Sequence, residues 1–196
     1  RIIILGGPNG AGKSTAGPSL VKNLLGVTRF VNADMIAKRL SPRAPNLASF
    51  QAGRMMLRRM KELARKRYSF AFETTLASRS FGPWICRLIA IGWRCHLIFL
   101  WLPDADLAVA RVRERVRQGG HDIPESVIRR RYEMGRRNFS EIFRPLASTW
   151  RVYDNSLEMP RLIASGRGSC RPKIEDPATW KKMTGENSDG KASRRH

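Results

Sequence analysis

The sequence predicts an α/β fold, a five-stranded parallel sheet with helices on both faces. Three observations predict it. Short apolar runs read as strands buried on both sides, amphipathic helical segments alternate with them, and the first run, Ile2 to Leu5, stops at a glycine-rich turn that opens a helix. At 196 residues the chain suits one such core.

The turn is the most informative stretch. Gly7, Pro8, Asn9, Gly10, Ala11, Gly12, Lys13, Ser14 and Thr15 spell G-x-x-x-x-G-K-[ST] behind a strand. A phosphate chain carries dense negative charge, so a loop that cradles it turns backbone N–H groups inward, and glycine permits that. Lys13 supplies a point charge for the terminal phosphates, Ser14 a hydroxyl for Mg²⁺, and the following helix its positive end. These residues are the candidate ATP-binding element of a P-loop NTPase fold.

Residues 14–25 read as the helix after the loop, ended by Gly26, with Pro18 predicting either a distorted first part or a short helix. Residues 29–32 form a brief second strand, leading to Asp34 and a short helix over 35–40. Two prolines make 41–46 a loop. Over 47–67, Phe50, Met56, Leu57, Met60, Leu63 and Ala64 recur at helical spacing, with Arg54, Arg58, Arg59, Lys61, Arg65 and Lys66 on the remaining surface. The methionines there read as core packing.

Residues 68–72 form a third strand that delivers Glu73, Thr74 and Thr75 to the sheet edge where ligands bind in open parallel sheets. Residues 79–92 read as helix and 94–102 as a fourth strand, after which Asp104 can cap the next helix. That helix, 105–118, buries Val109, Val112 and Val116, with Arg111 and Arg115 on one flank and Arg113 and Arg117 on the other. Gly119 and Gly120 end it. His121 to Ile123 turn into a helix started by Pro124, with Ile128, Tyr132, Phe139 and Ile142 on one face and Arg129, Arg130 and Arg131 in its early turns. Pro145 ends that segment and 150–154 form the fifth strand. From Gly166 the chain turns polar and basic, which predicts a short docked piece over 177–183 and a disordered tail.

Lys and Arg number 37 against 16 Asp and Glu, a net charge of +21. Such a surface attracts nucleic acid, anionic membrane or small polyanions alike, so it points to anionic partners without choosing among them. Cys86, Cys95 and Cys170 are odd in number and lack metal-ligand spacing, which argues against disulfides and structural zinc. The longest apolar region, 88–102, is broken by Arg94 and His96 and is too short to span a bilayer, so no membrane role is expected. The cytoplasm is the default location, and a few residues are expected before Arg1 because the chain starts inside its first strand.

Neither an LSGGQ-like signature nor an NKxD-type guanine-reading motif is present. The arginine-rich region after two glycines points instead to a small-molecule kinase with a mobile lid over about 117–135. Phosphoryl transfer needs positioning and neutralised charge more than covalent chemistry. Lid arginines meet the transferring group as the site closes, and a carboxylate near the acceptor hydroxyl takes its proton. Asp34 is the candidate for that carboxylate.

GGPNGAGKST, NADMIAKRL, FETTL and RVRERVRQGGHDIPESVIRRRYE followed by YDNS together resemble the zeta-toxin family of P-loop kinases, over about residues 2–156. The resemblance implies an adenylate-kinase-like fold with a small helical lid and strand order 2-3-1-4-5. It implies ATP- and Mg²⁺-dependent phosphorylation of the 3′-hydroxyl of UDP-N-acetylglucosamine, and a cognate antitoxin as partner. By position it implies Lys13 on the phosphates, Ser14 on the metal, Asp34 as general base, Glu73 and Thr75 at the sugar-nucleotide site, and Arg115 as a charge-stabilising arginine. Where the family carries a second lid arginine this chain has His121, so His121, Arg130 or Arg131 must substitute. Arg130 is the catalytic candidate and His121 a substrate contact. The domain reading is a kinase domain over 1–165, lid included, and a basic, partly disordered extension over 166–196. The alternative is a nucleic-acid-associated P-loop protein or polynucleotide kinase, which the charge favours and the motif order does not. Weak nonspecific nucleic-acid binding is expected in either case.

Overall fold

Ile2, Ile3, Ile4 and Leu5 are fully buried in β1 (Ile2–Gly6), as a strand covered on both faces requires. The computed structural model describes residues 1–41, 47–120 and 122–185. Along the chain follow α1 (Lys13–Leu25), β2 (Phe30–Val31), α2 (Ala33–Leu40), α3 (Ser49–Arg65), β3 (Phe70–Thr74), α4 (Phe81–Ala90), β4 (Cys95–Trp101), α5 (Ala105–Arg117) and α6 (Glu125–Asn138). A π-helical turn, Phe139–Phe143, leads to α7 (Arg144–Leu146), β5 (Thr149–Asp154), β6 (Arg161–Gly166), β7 (Lys173–Ile174) and α8 (Pro177–Thr184).

The sheet order is β2-β3-β1-β4-β5-β6-β7. Its first five strands are parallel in the expected order 2-3-1-4-5. The expected five-stranded, all-parallel sheet is corrected, among the described residues, to a seven-stranded mixed one, because β6 and β7 add to it antiparallel. The reason is connection length: residues 155–160 are too few for a crossover helix, so the chain can only fold back on β5.

Side chains alternate across β1. Ile2 and Ile4 join a layer with Met56, Met60, Phe139, Phe143 and Trp180, while Ile3 and Leu5 join one with Val21, Val109, Ile128 and Tyr132. Two expected core residues of α3 are exposed, Phe50 at 78% and Leu57 at 43%. The helix buries the face of Ala52, Met56, Met60 and Leu63, and those two stand on the other. Val116 is half-buried.

Pro18 does not interrupt α1, which is continuous. Gly17 lies so close to Leu5 that a Cβ would clash with its side chain, and this contact holds the helix on the sheet. Beyond Gly166, Trp180 and Met183 are fully buried, and the Trp180 ring stacks on Trp150 at 5.6 Å and 11°. Of the expected 41–46 loop, residues 42–46 lie outside the described residues, as do His121 and residues 186–196. Among the described residues no helix is long and apolar enough to cross a membrane.

Candidate active site

The turn after β1 is shaped by what crowds it. Gly7, at φ 147°, faces the Leu100 carbonyl so closely that no Cβ fits, and Gly12, at φ 74°, would bring a Cβ to 2.5 Å from Asn155 Nδ2. That Nδ2 donates to the Ala11 carbonyl at 2.8 Å, and Arg111 donates to the Asn155 and Ser156 carbonyls at 2.6 and 2.7 Å. The phosphate loop is therefore braced from the end of β5.

Lys13 is buried and donates from Nζ to the Pro8 carbonyl at 2.7 Å, with Glu73 Oε1 4.0 Å away. Burial lowers the Lys13 pKa, the carboxylates of Glu73 and Asp34 oppose that, and Arg115 and Arg131 reinforce it. Glu73 is raised, again chiefly by burial, against the pull of Lys13 and of the Ser14 hydrogen bond. Each group is pushed toward its neutral form because desolvation exceeds an attraction acting over 4.0 Å.

Ser14 Oγ donates to the Glu73 carboxylate at 3.0 and 3.2 Å. Asn32 Nδ2 donates to Glu73 Oε2 at 2.5 Å, while Asn32 Oδ1 accepts from the main-chain N–H groups of Asp34 and Met35 at 2.7 and 3.1 Å. Asn32 thus caps α2 and ties Asp34 to the carboxylate beside Ser14. Its sequence signal was an Asn directly before a short helix.

Asn9, Gly10, Gly12, Lys13, Ser14, Thr15, Asp34, Glu73 and Arg115 line one cleft of about 310 Å³. Gly7, Pro8 and Ala11 form the loop beneath it. Gly120 closes α5 over Arg115, its N–H donating to the Arg115 carbonyl at 2.8 Å, and a Cβ there would stand 2.6 Å from Arg115 Cγ.

Other sequence candidates lie elsewhere. Thr75 does not line the cleft; its Oγ1 accepts from the Ala77 N–H at 3.4 Å, and its carbonyl abuts Gly135 of α6. Arg130 is exposed and outside the cleft lining. Arg131 is half-buried and interacts electrostatically with Asp34 and Lys13; burial and the neighbouring Arg130 lower its pKa, and Asp34 counters them. His121 lies outside the described residues. Asn32, Arg111 and Asn155 are the site residues to which motif reading assigned no role of their own, and Arg131 is the one of the three alternatives for the second lid arginine that interacts, among the described residues, with Asp34.

No group of three or more His, Cys, Asp and Glu among the described residues could hold a metal ion. The Ser14 hydroxyl beside the Glu73 carboxylate is nonetheless a hard oxygen set of the kind that suits Mg²⁺ shared with phosphate oxygens.

Residues 2–140 match the model of a family described as the AAA domain. An uncharacterized protein of Haemophilus influenzae is 30% identical over 132 residues, which are 67% of this chain and 92% of that protein. Among solved structures, the AvrRxo1-ORF1:-ORF2 complex with ATP aligns over 93% of this chain at 17% identity and a TM-score of 0.70; this chain spans 63% of the matched one. The PezAT chromosomal toxin-antitoxin system of Streptococcus pneumoniae aligns over 94% of this chain and 78% of the matched chain, at 16% identity and a TM-score of 0.66. At these identities the structural matches establish the fold alone, an α/β fold that this chain shares with the ATP-bound AvrRxo1-ORF1 complex and the pneumococcal PezAT system.

Proposed function

The chain belongs to the AAA domain family, and from that premise we propose that it is an ATP- and Mg²⁺-dependent phosphotransferase of zeta-toxin type. Its acceptor in this reading is a hydroxyl of a UDP-activated sugar such as UDP-N-acetylglucosamine. The observation that carries the reading is that Lys13, Asp34 and Arg115, far apart in sequence, line one cleft at the carboxyl edge of the parallel strands.

Asp34 is exposed to that cleft, free of the salt bridge that engages Glu73. Its carboxylate takes the proton of the acceptor hydroxyl as that oxygen bonds to the γ-phosphorus of ATP. The bond from γ-phosphorus to its bridging oxygen breaks, and the electron pair leaves with ADP. Lys13 and Arg115 neutralise charge on the phosphates, with Arg131 better placed than Arg130 to join them. Ser14, beside Glu73, would hold Mg²⁺, which when bound would add to the neutralisation of the phosphate oxygens.

Residues 117–135 are the proposed lid within a kinase domain of 1–165, with 166–196 as an extension. Arg131, on the part of α6 that packs on the core through Ile128 and Tyr132, would meet the transferring group from beside Asp34. The toxin-antitoxin pairing of the pneumococcal neighbour supports a protein inhibitor as partner, and an acceptor of this class implies a cytoplasmic setting.

The test is incubation with Mg-ATP and a panel of UDP-sugars, nucleosides and RNA, read by mass spectrometry. Phosphorylated UDP-sugar is expected, and Asp34→Ala, folded as wild type, should lose it by about 10²-fold or more. Product on polynucleotide alone would overturn the acceptor assignment.

A further inference from the structure

The amino edge of the sheet, at the far end of β1 from the phosphate loop, carries a cationic hollow of its own. β3, β1 and β4 lie side by side, and an arginine stands shortly before each of them: Arg67, Arg1 and Arg94. Main-chain bonds tie these starts together, from the Phe70 N–H to the Arg1 carbonyl at 3.2 Å and from the Ile2 N–H to the Arg94 carbonyl at 2.9 Å. Neighbouring strands are about 4.8 Å apart, so the three arginines stem from a width of about 10 Å. With Gly92 and Trp93 they line a hollow of about 400 Å³, a volume suited to a small ligand.

The charge there is uncompensated. Arg1, Arg67 and Arg94 form no salt bridge among the described residues, whereas Arg59, Arg113 and Arg129 elsewhere on the surface each hold a carboxylate. Arg67 follows the last turn of α3 at φ 57°, a left-handed conformation that glycine adopts most readily, and apart from Leu76 no other described non-glycine residue has a positive φ. Its Nη1 donates to the Ile91 carbonyl at 3.2 Å, which fixes the side chain beside the hollow and leaves most of its donors unspent. Trp93 is 6% exposed and its Nε1 has no hydrogen-bond partner. The positive field reaches into the sheet: the pKa of His96 on β4 is lowered first by burial and then by cations that include Arg1 and Arg94.

We infer that this hollow is a binding site for a run of phosphate groups, of oligophosphate class, separate from the transfer cleft. β1 alone, five residues long, sets the two about 16 Å apart. Guanidinium forks match phosphate oxygens in pairs, and three unpaired cations call for an anion of several charges. Free oligophosphate and the backbone of a single-stranded nucleic acid both present that chemistry. The site does not depend on the phosphotransfer reading, since none of its residues lines the cleft.

Titration calorimetry of the full chain tests this, with the phosphate loop first saturated by Mg²⁺ and a non-hydrolysable ATP analogue. Inorganic tripolyphosphate and a 20-nucleotide single strand, each equilibrated at the same free Mg²⁺, are the titrants. The Arg67→Gly, Arg94→Gln double variant should lose tripolyphosphate affinity by at least about tenfold, the scale of one charge-assisted hydrogen bond, and keep wild-type affinity for the ATP analogue. The corresponding pair of lysines should recover part of the loss. Arg67→Gly alone should not lower the melting temperature, because glycine suits φ 57°, so its loss of binding is not a loss of fold. In NMR titrations the His96 pKa should rise when tripolyphosphate binds, as the surrounding cations gain counter-charge. A strand that binds through the same arginines and competes with tripolyphosphate identifies a nucleic-acid backbone as the source, and tripolyphosphate binding alone identifies the free anion. Absence of binding by both, affinity undiminished in the double variant, or a His96 pKa that does not move overturns the inference. So does inorganic phosphate that binds as tightly as tripolyphosphate.

Discussion

Asn32 caps α2 through one atom of its carboxamide and holds Glu73 through the other, so a single side chain orients the base candidate and the carboxylate beside Ser14. Asn32→Ala removes a cap and leaves a buried carboxylate short of a donor. A loss of about 2–3 kcal/mol is expected in chemical denaturation, together with weaker transfer. Asn32→Asp keeps the cap, but sets a second negative charge against Glu73 and should raise the already elevated Glu73 pKa further, readable by NMR titration. Lys13 carries a proton-linked signature. Burial lowers its pKa in the free protein, and phosphates at its side would raise it again. Between those two values the free amine is less protonated than the bound one, so ATP binding at alkaline pH should take up a fraction of a proton. Calorimetry in two buffers of different ionisation enthalpy measures it, and Lys13→Met should abolish the uptake.

At the scale of elements, α8 shows how a short helix is secured. Asp176 accepts from the Thr179 main-chain N–H at 3.0 Å and from its hydroxyl at 2.8 Å, which holds the carboxyl below its ordinary pKa of 3.8. A depressed carboxyl pKa means stability that is present above that ordinary value and lost as pH falls through the depressed one. Asp176→Ala should therefore cost about 1 kcal/mol near pH 7, with variant and wild type converging in acid as the pH drops below 3.8, in thermal melts across pH. The phosphate loop is braced in the same manner from outside. Asn155→Ala removes the donor to the Ala11 carbonyl and should weaken ATP binding by about 1–2 kcal/mol with a smaller effect on melting.

Taken whole, the molecule is tied together by its last described helix. Trp180 is fully buried against Trp150, and Arg136 of α6 donates to the Met183 carbonyl at 2.7 Å. Trp180→Ala should cost about 3–5 kcal/mol in denaturant unfolding, as a buried aromatic truncation does. Truncation after Gly166 should leave a chain that no longer unfolds cooperatively, because Trp150 and Phe139 would lose their cover. Survival of a cooperative transition in that truncation would show the extension to be dispensable.

The order of strands and helices and the phosphate loop were legible in the chain because both depend on local chemistry: apolar period, glycine spacing, and a lysine next to a hydroxyl. The residues that complete the cleft were not. Asn155 reaches Ala11 across 144 positions and Asn32 reaches Glu73 across 41, and no local pattern reports which distant group a carboxamide will meet. Arg130 and Arg131 are neighbours with the same chemistry, and only the rotation of α6 against the sheet makes one exposed and the other half-buried near Asp34. The antiparallel β6 and β7 likewise come from chain geometry, since a strand's direction is set by how much chain is available to return it.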